Sequence, residues 1–540
     1  MQPFSWEFPY PSRRMPILAQ NVVATSQPLA AQAGLDALRQ PLTLPSGGNA
    51  VDAALATAIA LTVVEPTSNG IGSDAFAIVW DGAQLHGLNA SGRAPQALTP
   101  ERFAGLTQMP VMGWDPVTVP GAVSAWVALS TRFGKLPFAD LFEAAIHYAR
   151  DGFLVSPITA LAWARAPEHY AAYPSFAATF APNGRAPHPG ELFRCPDQAR
   201  TLETIAATKG EAFYRGALAE RIAAHAKATG GLLTMDDLAS HAPEWVTPLA
   251  QAYHGYALHE IPPNGQGLAA LIALGILQHL DLAQYPVDSA DSLHLQVEAM
   301  KLAFAEAHRH IADPAWMEVP PEALLAADFL AARARQIRMD AAQFPTSALS
   351  TDHGTVYLTA ADASGMMVSY IQSNYMGFGS GIVIPGTGIS LQNRGAGFRL
   401  ETGHPNRVAG GKRPYHTIIP GFVTREGQPV MSLGVMGGHM QPQGHVQMMV
   451  RLFDYGQNPQ AASDAPRWYI EEGLTALSLE PGFAPEVVAE LRRRGHKVTT
   501  DLPPNRFGGA QLIYRLENDN QLTGYCAGTD WRKDGQAVGY

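Results

Sequence analysis

The spacing of apolar residues changes twice along this chain of 540 residues. Up to about residue 155, short apolar runs alternate with helically spaced segments, and Ala50–Val64 predicts a buried helix capped by Asn49 or Asp52. From about 135 to 345 the helical period dominates, and its segments end at Gly or Asp-Pro, as helices do. After residue 355 the pattern changes to short predicted strands separated by turn residues.

A β-hairpin is the clearest strand signal in the last part of the chain. Residues 357–361 and 367–372 have the character of strands, and residues 362–365 form the turn between them. The first strand opens with Gly354-Thr355, directly after a polar stretch from residue 339 that predicts an exposed loop. Helices in the first part and strands in both parts favour a layered α+β fold of sheets and helices.

Composition and charge exclude several classes of protein. Charged residues make up 16% of the chain and the formal net charge is −10, so no basic field favours nucleic acid. The longest apolar stretch, residues 53–64, is shorter than the roughly 20 residues that cross a bilayer. The N-terminal residues lack a basic region followed by an apolar run, so no secretory signal is expected. A cytoplasmic location is the expectation, with export by another route left open.

Common motifs for cofactors and metals are missing from the sequence. It contains no phosphate-binding loop, nucleophile elbow or H-E-x-x-H zinc motif, and Cys195 and Cys526 form no metal or disulfide framework. His294 and Glu298 lie one helical turn apart, as do residues that share a metal, but a solvent-facing or packing pair is favoured because no third ligand is evident. His308 and His310 face different sides of one helix and are predicted to lie on the surface. We therefore expect no metal and no cofactor.

The Gly354-Thr355 pair has two interpretations. In the structural one, glycine ends a loop and threonine starts a strand. In the functional one, the chain is cut between them and Thr355 becomes an N-terminal nucleophile. A threonine hydroxyl needs a base, and the freed α-amine, whose ordinary pKa is about 7.7–8.0, supplies one on the same residue. Glycine would tolerate the backbone strain that attack by an internal hydroxyl demands.

Six blocks distributed over nearly the whole chain bear on this choice. They are GGNAVDAALATAIALTVVEP, VTVPGAVSAWVALSTRFGKLPFADLFEAAI, GGLLTMDDLA, LHLQVEAMKLAFAEAHRHIADP, GKRPYHTIIPGF and DYGQNPQAASDAPRW. In this order the blocks resemble the gamma-glutamyltransferase family of N-terminal-nucleophile enzymes. The resemblance implies a four-layer αββα sandwich and self-cleavage between Gly354 and Thr355. The resulting fragments, residues 1–354 and 355–540, would stay associated as one folded unit.

The resemblance also implies catalytic roles for residues of the second fragment. Thr355, in the strand TVYLTAAD, takes the role of nucleophile with its own amine as base. The family's second hydroxyl, which supports the nucleophile, falls on Ser373, with Asn374 as the neighbouring candidate. Gly437 and Gly438 match the family's oxyanion hole, in which two successive N–H groups stabilise the developing charge. A tight turn that needs positive φ is the alternative interpretation of this pair.

Substrate recognition is where the sequence departs from the family pattern. The arginine of the family's R-E-x-A-P block is matched two positions later by Arg93, and the family's paired serines are replaced by His416 and Thr417. The aspartate that binds the glutamyl α-amine is replaced by Gly397, and Arg394 replaces a glutamine. Arg93, Arg394, His416 and Thr417 are the candidate substrate-binding residues. The exchange of an acid for a cation suits an anionic acyl group without an α-amine, such as a dicarboxylic monoamide.

Three functions remain open on the sequence. The leading hypothesis is a self-processing threonine acyltransferase or amidohydrolase that acts on gamma-glutamyl or similar amides through an acyl-enzyme. The second is an acylase on glutaryl-type amides, and the third is an uncleaved binding protein for an acidic metabolite. Each implies a small-molecule partner, with neither nucleic acid nor membrane.

Overall fold

The computed structural model describes residues 14–39, 47–345, 354–519 and 521–540, so most of the predicted loop before Gly354 lies outside the described residues. The strands are β1 (Ile17–Ala19), β2 (Val22–Thr25), β3 (Asp74–Trp80), β4 (Leu85–Asn89), β5 (Phe153–Leu154), β6 (Leu192–Phe193), β7 (Glu244–Val246), β8 (Leu249–Tyr253), β9 (Tyr256–Glu260), β10 (Gly354–Ala361), β11 (Met367–Tyr375), β12 (Val383–Ile384), β13 (Ile389–Ser390), β14 (Gly421–Arg425), β15 (Gln428–Met436), β16 (Trp468–Ile470), β17 (Ala476–Leu479), β18 (Lys497–Thr499), β19 (Gly509–Asn518), β20 (Gln521–Thr529) and β21 (Gln536–Gly539).

The α-helices of the same residues lie mainly before residue 345. They are α1 (Pro28–Leu38), α2 (Ala50–Val64), α3 (Ala122–Phe133), α4 (Glu143–Asp151), α5 (Pro157–Trp163), α6 (Ala166–His169), α7 (Pro174–Phe180), α8 (Pro196–Thr208), α9 (Glu211–Tyr214), α10 (Ala217–Ala228), α11 (Met235–Ala239), α12 (Gly267–Leu277), α13 (Ala290–His310), α14 (Pro321–Leu324), α15 (Ala327–Ala334), α16 (Met440–Phe453), α17 (Pro459–Asp464) and α18 (Pro485–Arg493). Within the described ranges, no helix combines the length and apolar character needed to cross a bilayer.

Two seven-stranded sheets pack face to face at the centre of the molecule. Sheet I has the strand order β1-β20-β19-β15-β14-β9-β8, and sheet II has the order β21-β2-β10-β11-β3-β4-β7. The layer between them consists of buried apolar side chains from both sheets, including Phe76, Tyr357, Ile371, Phe422 and Ile513. Burial of such side chains is the main favourable term for this packing.

Helices cover the outer face of each sheet. Helix α2 packs on β10 and β11 of sheet II, and all of its residues are buried. Helices α12 and α16 pack on β8 and β15 of sheet I, and α13 packs on α12. The predicted four-layer αββα sandwich is confirmed, because each sheet buries one face on the other sheet and one face on helices.

The local predictions are largely confirmed. Helix α2 has the predicted bounds, and Asn49 and Asp52 together form its capping box. The predicted hairpin is β10–β11, although both strands extend further toward its open end. The region from 135 to 345 is less purely helical than its pattern predicts, since it also contributes β7, β8 and β9. These strands are short and partly exposed, so they lack the long apolar run that marks a buried strand.

Strands from both sides of the predicted cut alternate within sheet II. The order places β10 and β11, which follow residue 354, between β2 and β3, which precede it. Strand β21, near the end of the chain, pairs with β2 near its beginning. The two predicted fragments are therefore built into the same sheets in the uncut chain.

Candidate active site

Thr355 lies near the start of β10, in the middle of sheet II, and only 2% of its surface is exposed. Its Oγ1 donates a hydrogen bond to Ser373 Oγ at 3.2 Å, and Ser373 Oγ donates to the carbonyl oxygen of Gly354 at 2.5 Å. The β10–β11 register shifts at this point, which leaves one extra residue on β11. Such a bulge re-aims side chains, and here the result is a hydrogen-bonded line from the Thr355 hydroxyl to the preceding peptide carbonyl.

Gly354 is in tight contact with the loop that follows β11. A Cβ atom at this position would lie 2.6 Å from the backbone nitrogen of Gly377 and 3.0 Å from its Cα. The φ angle of Gly354 is outside the left-handed region. Close approach of the two backbones, rather than the strain expected from the sequence, is what requires glycine here.

Of the two candidates for the second hydroxyl position, the structure brings Ser373 to Thr355. The side chain of Asn374 instead joins the loop before β3 to the loop after β11. Its Oδ1 accepts from Ser73 Oγ at 2.8 Å, and its Nδ2 donates to the Phe378 carbonyl at 3.2 Å. Ser373 Oγ also accepts from the N–H of Tyr375 at 2.7 Å, so this hydroxyl is held from three sides.

Gly437 and Gly438 form the turn between β15 and α16. Their φ angles are +117° and +59°, both in the region that side chains rarely adopt. The Gly437 carbonyl accepts from Met440 N–H at 3.0 Å and the Gly438 carbonyl from Gln441 N–H at 3.1 Å. Because the N–H of a trans peptide points opposite to its carbonyl, the Gly438 N–H points away from α16. The turn interpretation and the donor interpretation of this pair are therefore compatible.

Gln441 joins this turn to Thr355 and was missed in the sequence. Its side chain is fully buried, its Oε1 accepts from Ile419 N–H at 2.9 Å, and its Nε2 lies 3.5 Å from Thr355 Oγ1. The contact places the first turn of α16 beside the candidate nucleophile. The sequence feature that could have indicated Gln441 is its position three residues after the Gly-Gly pair.

A cavity of about 100 Å³ adjoins these residues. It meets the site at Tyr375, whose N–H is bonded to Ser373, and at His439, which follows Gly438. Gly397 and Arg399 also line it. The described residues of its wall include no Asp or Glu. They are Thr107, Gln108, Met109, Val111, His308, Ile311, Tyr375, Ala396, Gly397, Phe398, Arg399, Leu400, Asn406, Tyr415 and His439.

Two histidines in this wall are neutral. Burial, with the nearby positive charges of Arg399 and Arg394, lowers the pKa of His439 to about 3. Burial also holds the pKa of His308 well below its ordinary value. The predicted surface position of His308 is wrong. Its ring packs against Phe304 of the same helix and lies 6.0 Å from the ring of His439, because α13 carries this face toward the cavity.

Arg394 is fully buried behind Tyr375. Its Nη1 donates to Thr417 Oγ1 at 2.7 Å, and its guanidinium carbon lies 4.3 Å from the centroid of the Tyr375 ring. Its Nε and Nη2 have no hydrogen-bond partner among the described residues. Burial lowers the pKa of this guanidinium to about 10, with Asp74 opposing the shift. Arg394 is thus a charged side chain with two unused donors next to a wall residue of the cavity.

His416 forms a buried pair with Asp74. The two side chains are fully buried, and His416 Nε2 lies 3.1 Å from Asp74 Oδ2. Asp74 Oδ1 accepts from the N–H groups of Gly92 at 3.2 Å and Gly121 at 3.1 Å. Burial raises the pKa of Asp74 to about 7, against the opposing charge of Arg394.

Arg93 lies apart from the other predicted substrate-binding residues. Its Nη1 donates to Asp313 Oδ2 at 2.8 Å and to the Gly411 carbonyl at 3.1 Å, and its Nη2 lies 3.5 Å from Glu244. The side chain is 43% exposed and does not line the cavity. The structure therefore joins Arg394 with Thr417 beside the site and places Arg93 in an ion-pair cluster.

His294 and Glu298 gain the third neighbour that the sequence did not reveal. His496 is fully buried with them, and one possible ligand atom of each lies within 4.8 Å of the others. Lys301 Nζ, however, donates to Glu298 at 2.9 Å, to the Gln343 carbonyl at 3.0 Å and to His496 Nδ1 at 3.4 Å. The Lys301 ammonium group thus supplies the positive charge that a metal ion would otherwise bring to Glu298. The cluster is a hydrogen-bonded packing cluster, although a third possible ligand is present where the sequence suggested none.

The comparisons with known proteins decide the family. The sequence model of the family described as gamma-glutamyltranspeptidase matches residues 30–540. The chain belongs to the gamma-glutamyltranspeptidase family. It is therefore an enzyme of the N-terminal-nucleophile hydrolase superfamily, an amidohydrolase or acyltransferase.

Relatives within and near this family match almost the full chain. The oxamate amidohydrolase proenzyme of Klebsiella pneumoniae subsp. pneumoniae is 38% identical over 527 residues, covering 95% of this chain and 97% of that one. The glutathione hydrolase-like YwrD proenzyme of Bacillus subtilis (strain 168) is 35% identical over 527 residues, covering 96% and 98%. The crystal structure of a cephalosporin acylase from Bacillus halodurans superposes with a TM-score of 0.94 and 48% identity, covering 100% and 99%.

Proposed function

We propose that this chain is a self-processing threonine amidohydrolase acting on amides whose small acyl group is anionic and has no α-amine. The observation that carries the proposal is the cavity that meets the site at Tyr375 and His439, whose described wall residues include Arg399 but no carboxylate. An α-ammonium group would find no acidic partner there, whereas an acyl carboxylate would find a cation.

Self-processing would start with attack of Thr355 Oγ1 on the carbonyl carbon of Gly354. The new C–O bond forms as the bond from this carbon to the Thr355 nitrogen breaks, and the hydroxyl proton ends on that nitrogen. Water then hydrolyses the resulting ester, which yields the Gly354 carboxylate and restores the Thr355 hydroxyl next to a free amine. The hydrogen bond from Ser373 to the Gly354 oxygen would stabilise the charge that develops there.

Turnover would reuse the same hydroxyl with the freed amine as base. The amine accepts the hydroxyl proton, the oxygen attacks the substrate amide carbon, and the proton passes to the leaving amine. Water attacks the acyl-enzyme and releases the acid. The turn at Gly437-Gly438, held beside Thr355 through Gln441, is the candidate oxyanion donor.

Gly397 supports the choice of acyl group. A Cβ at this position would lie 2.5 Å from the Tyr415 carbonyl oxygen, so the family's aspartate does not fit the backbone as it stands here. The cavity volume of about 100 Å³ suits a compact acyl group. The relative named oxamate amidohydrolase agrees with this choice, because oxamate is the monoamide of a dicarboxylic acid.

Gamma-glutamyl amides are the second candidate class. They are favoured by the relative named glutathione hydrolase-like and by the family itself. The departures at Gly397 and Arg394 weigh against them, since a buried guanidinium beside the cavity would repel the α-ammonium.

The test combines processing with substrate choice. Full-length wild type and Thr355→Ala are purified, followed on denaturing gels, and the smaller fragment is sequenced from its N-terminus. Wild type is expected to give a fragment starting at Thr355, and the variant is expected to stay whole. Oxamate, glutaryl p-nitroanilide and gamma-glutamyl p-nitroanilide are then supplied. Turnover of only the gamma-glutamyl compound would reject the proposed acyl group, and a wild-type chain that stays whole would reject the nucleophile.

A further inference from the structure

We infer that Gln266 is a positioning residue for this reaction, whose side-chain amide fixes the Gly437-Gly438 turn relative to the acyl cavity. The inference rests on the proposed function. Gln266 directly precedes α12, belongs to the part of the chain before the predicted cut, and is fully buried.

The amide of Gln266 contacts four groups around the site. Its Nε2 donates to the Gly438 carbonyl at 2.8 Å and to the Thr417 carbonyl at 2.6 Å. Its Oε1 accepts from the Tyr415 hydroxyl at 3.1 Å and lies 3.3 Å from His439 Nδ1. A primary amide has two N–H donors and an oxygen with two lone pairs, so its full capacity is used. The orientation is unambiguous, because two carbonyl oxygens can only accept.

The backbone around Gln266 leaves its side chain little freedom. Gln266 N–H donates to the His416 carbonyl at 2.9 Å, and His416 N–H donates to the Asn264 carbonyl at 3.0 Å. The side chain of Asn264 adds a bond to the Pro414 carbonyl at 2.8 Å. Residues 264–266 therefore lie along residues 414–417 before any substrate binds, which is the preorganisation that an accurate site needs.

The turn at Gly437-Gly438 depends on such a restraint. Two consecutive glycines with positive φ have wide conformational freedom, and an oxyanion donor is effective only when it is already aimed. The Gly438 carbonyl is held toward α16 by Gln441 N–H and Gln266 Nε2 together. The amide oxygen of Gln266 can only accept, so it favours the His439 tautomer that carries its proton on Nδ1. One side chain thus sets both the turn and a wall residue of the cavity.

A positioning role and a purely structural role predict different kinetics. Gln266→Met keeps the length of the side chain and removes all four contacts. If the role is positioning, the variant still folds and cleaves itself, its kcat falls about 10- to 100-fold, and its KM changes less than about threefold. Both roles predict a lower melting temperature, because buried partners lose their hydrogen bonds, but a purely structural role would also slow self-cleavage and would lower kcat no more than the matched control does.

Gln447→Met is the matched control. Gln447 is a buried glutamine on α16 whose Nε2 donates to the carbonyls of Gln443 at 3.1 Å and Trp468 at 3.0 Å. Its Oε1 accepts from Trp468 N–H at 3.1 Å, so the same substitution removes a comparable set of bonds away from the site. We expect this control to lower the melting temperature while leaving kcat within about twofold of wild type.

The experiment measures self-cleavage, kcat, KM and melting temperature for wild type and both variants with glutaryl p-nitroanilide, or with oxamate if that is the compound turned over. Gln266→Glu adds a pH readout. The buried carboxyl group donates a hydrogen bond only when it is protonated. The kcat of this variant relative to wild type is therefore expected to rise as pH falls from about 8 to about 6.

A wild-type kcat in Gln266→Met, or equal kcat losses in Gln266→Met and Gln447→Met, would overturn the inference. A wild type without self-cleavage or turnover would instead reject the proposed function, and the inference with it.

Discussion

Thr355 Oγ1 and Ser373 Oγ lie 3.2 Å apart on neighbouring strands of the uncut chain. Ser373 is in turn bonded to the carbonyl of Gly354, the residue before the candidate nucleophile. The hydroxyl that would attack, the hydroxyl that would support it and the carbonyl that would be attacked are thus already joined. Folding of the chain is sufficient to assemble them.

Ser373→Ala is expected to slow both self-cleavage and turnover, by about 100-fold or more, because it removes the hydroxyl between Thr355 and Gly354. Appearance of the fragment starting at Thr355 is followed on denaturing gels. Ser369→Ala is the control, since Ser369 lies on the same strand and its hydroxyl bonds to Tyr357 at 2.8 Å. Equal cleavage rates in the two variants would contradict the role of Ser373.

Gly354→Ala is expected to lower stability by about 1–3 kcal/mol, because the new methyl group collides with the backbone of Gly377. Melting temperatures are compared in the Thr355→Ala background, so that cleavage does not affect the result. In the otherwise wild-type chain, self-cleavage should also slow as the strand shifts. An unchanged melting temperature would show that the loop after β11 adapts freely.

Gly397→Asp is expected to destabilise the protein without creating a gamma-glutamyl hydrolase. The Cβ would lie 2.5 Å from the Tyr415 carbonyl, so the backbone must shift before a carboxylate enters the cavity. Turnover of gamma-glutamyl p-nitroanilide and the melting temperature are measured together. A stable variant with increased gamma-glutamyl turnover would mean that one position controls the acyl preference.

Asp74→Asn is expected to flatten the pH dependence of stability. The folded-state pKa of about 7 is above the ordinary value of 3.8, so between these values the folded state binds more protons than the unfolded state. The Asp74 contribution to the free energy of unfolding therefore falls as pH rises from about 4 to about 7. Melting temperatures of Thr355→Ala with and without Asp74→Asn measure this slope, with the exposed Asp236→Asn as control. Parallel curves would contradict the prediction.

Lys301→Met is expected to cost about 3–5 kcal/mol, because it leaves the Glu298 carboxylate buried without its partner. The double variant Lys301→Met/Glu298→Gln should recover part of this loss. Melting temperatures measure both effects. Added Zn²⁺ should not raise the melting temperature of wild type, and a clear increase would favour a metal site at His294, Glu298 and His496.

The elements best predicted from the sequence are those with a strong local pattern. Helix α2 is apolar throughout and has capping residues at its start, and the β10–β11 hairpin has two apolar strands around a polar turn. Strands β8 and β9 carry fewer buried residues and lie within a helical region, so their pattern is weak. Strand β9 is held by pairing with β14, which is more than 160 residues away, and β8 pairs with β9.

Thr355 and Gly437-Gly438, the candidate residues that the family resemblance indicates in short blocks, are brought near each other in the structure through Gln441. Gln266 and Gln441 were not predictable, because a buried glutamine has no special pattern and their partners lie far along the chain. The surface prediction for His308 was wrong for a related reason. Helical spacing gives the direction of a side chain around the helix axis, but it does not reveal what packs against that side.

Strands from both predicted fragments alternate in sheet II. Self-cleavage would therefore break one peptide bond in a chain that is already folded. If the Gly354–Thr355 bond were broken, neither polypeptide could leave without losing the hydrogen bonds of β10 to β2 and of β11 to β3, the two outer edges of the β10–β11 hairpin. Halves synthesised separately would each lack the neighbours that complete their ladders. If the chain is cut at this bond, the intact polypeptide would thus act as its own template for assembly.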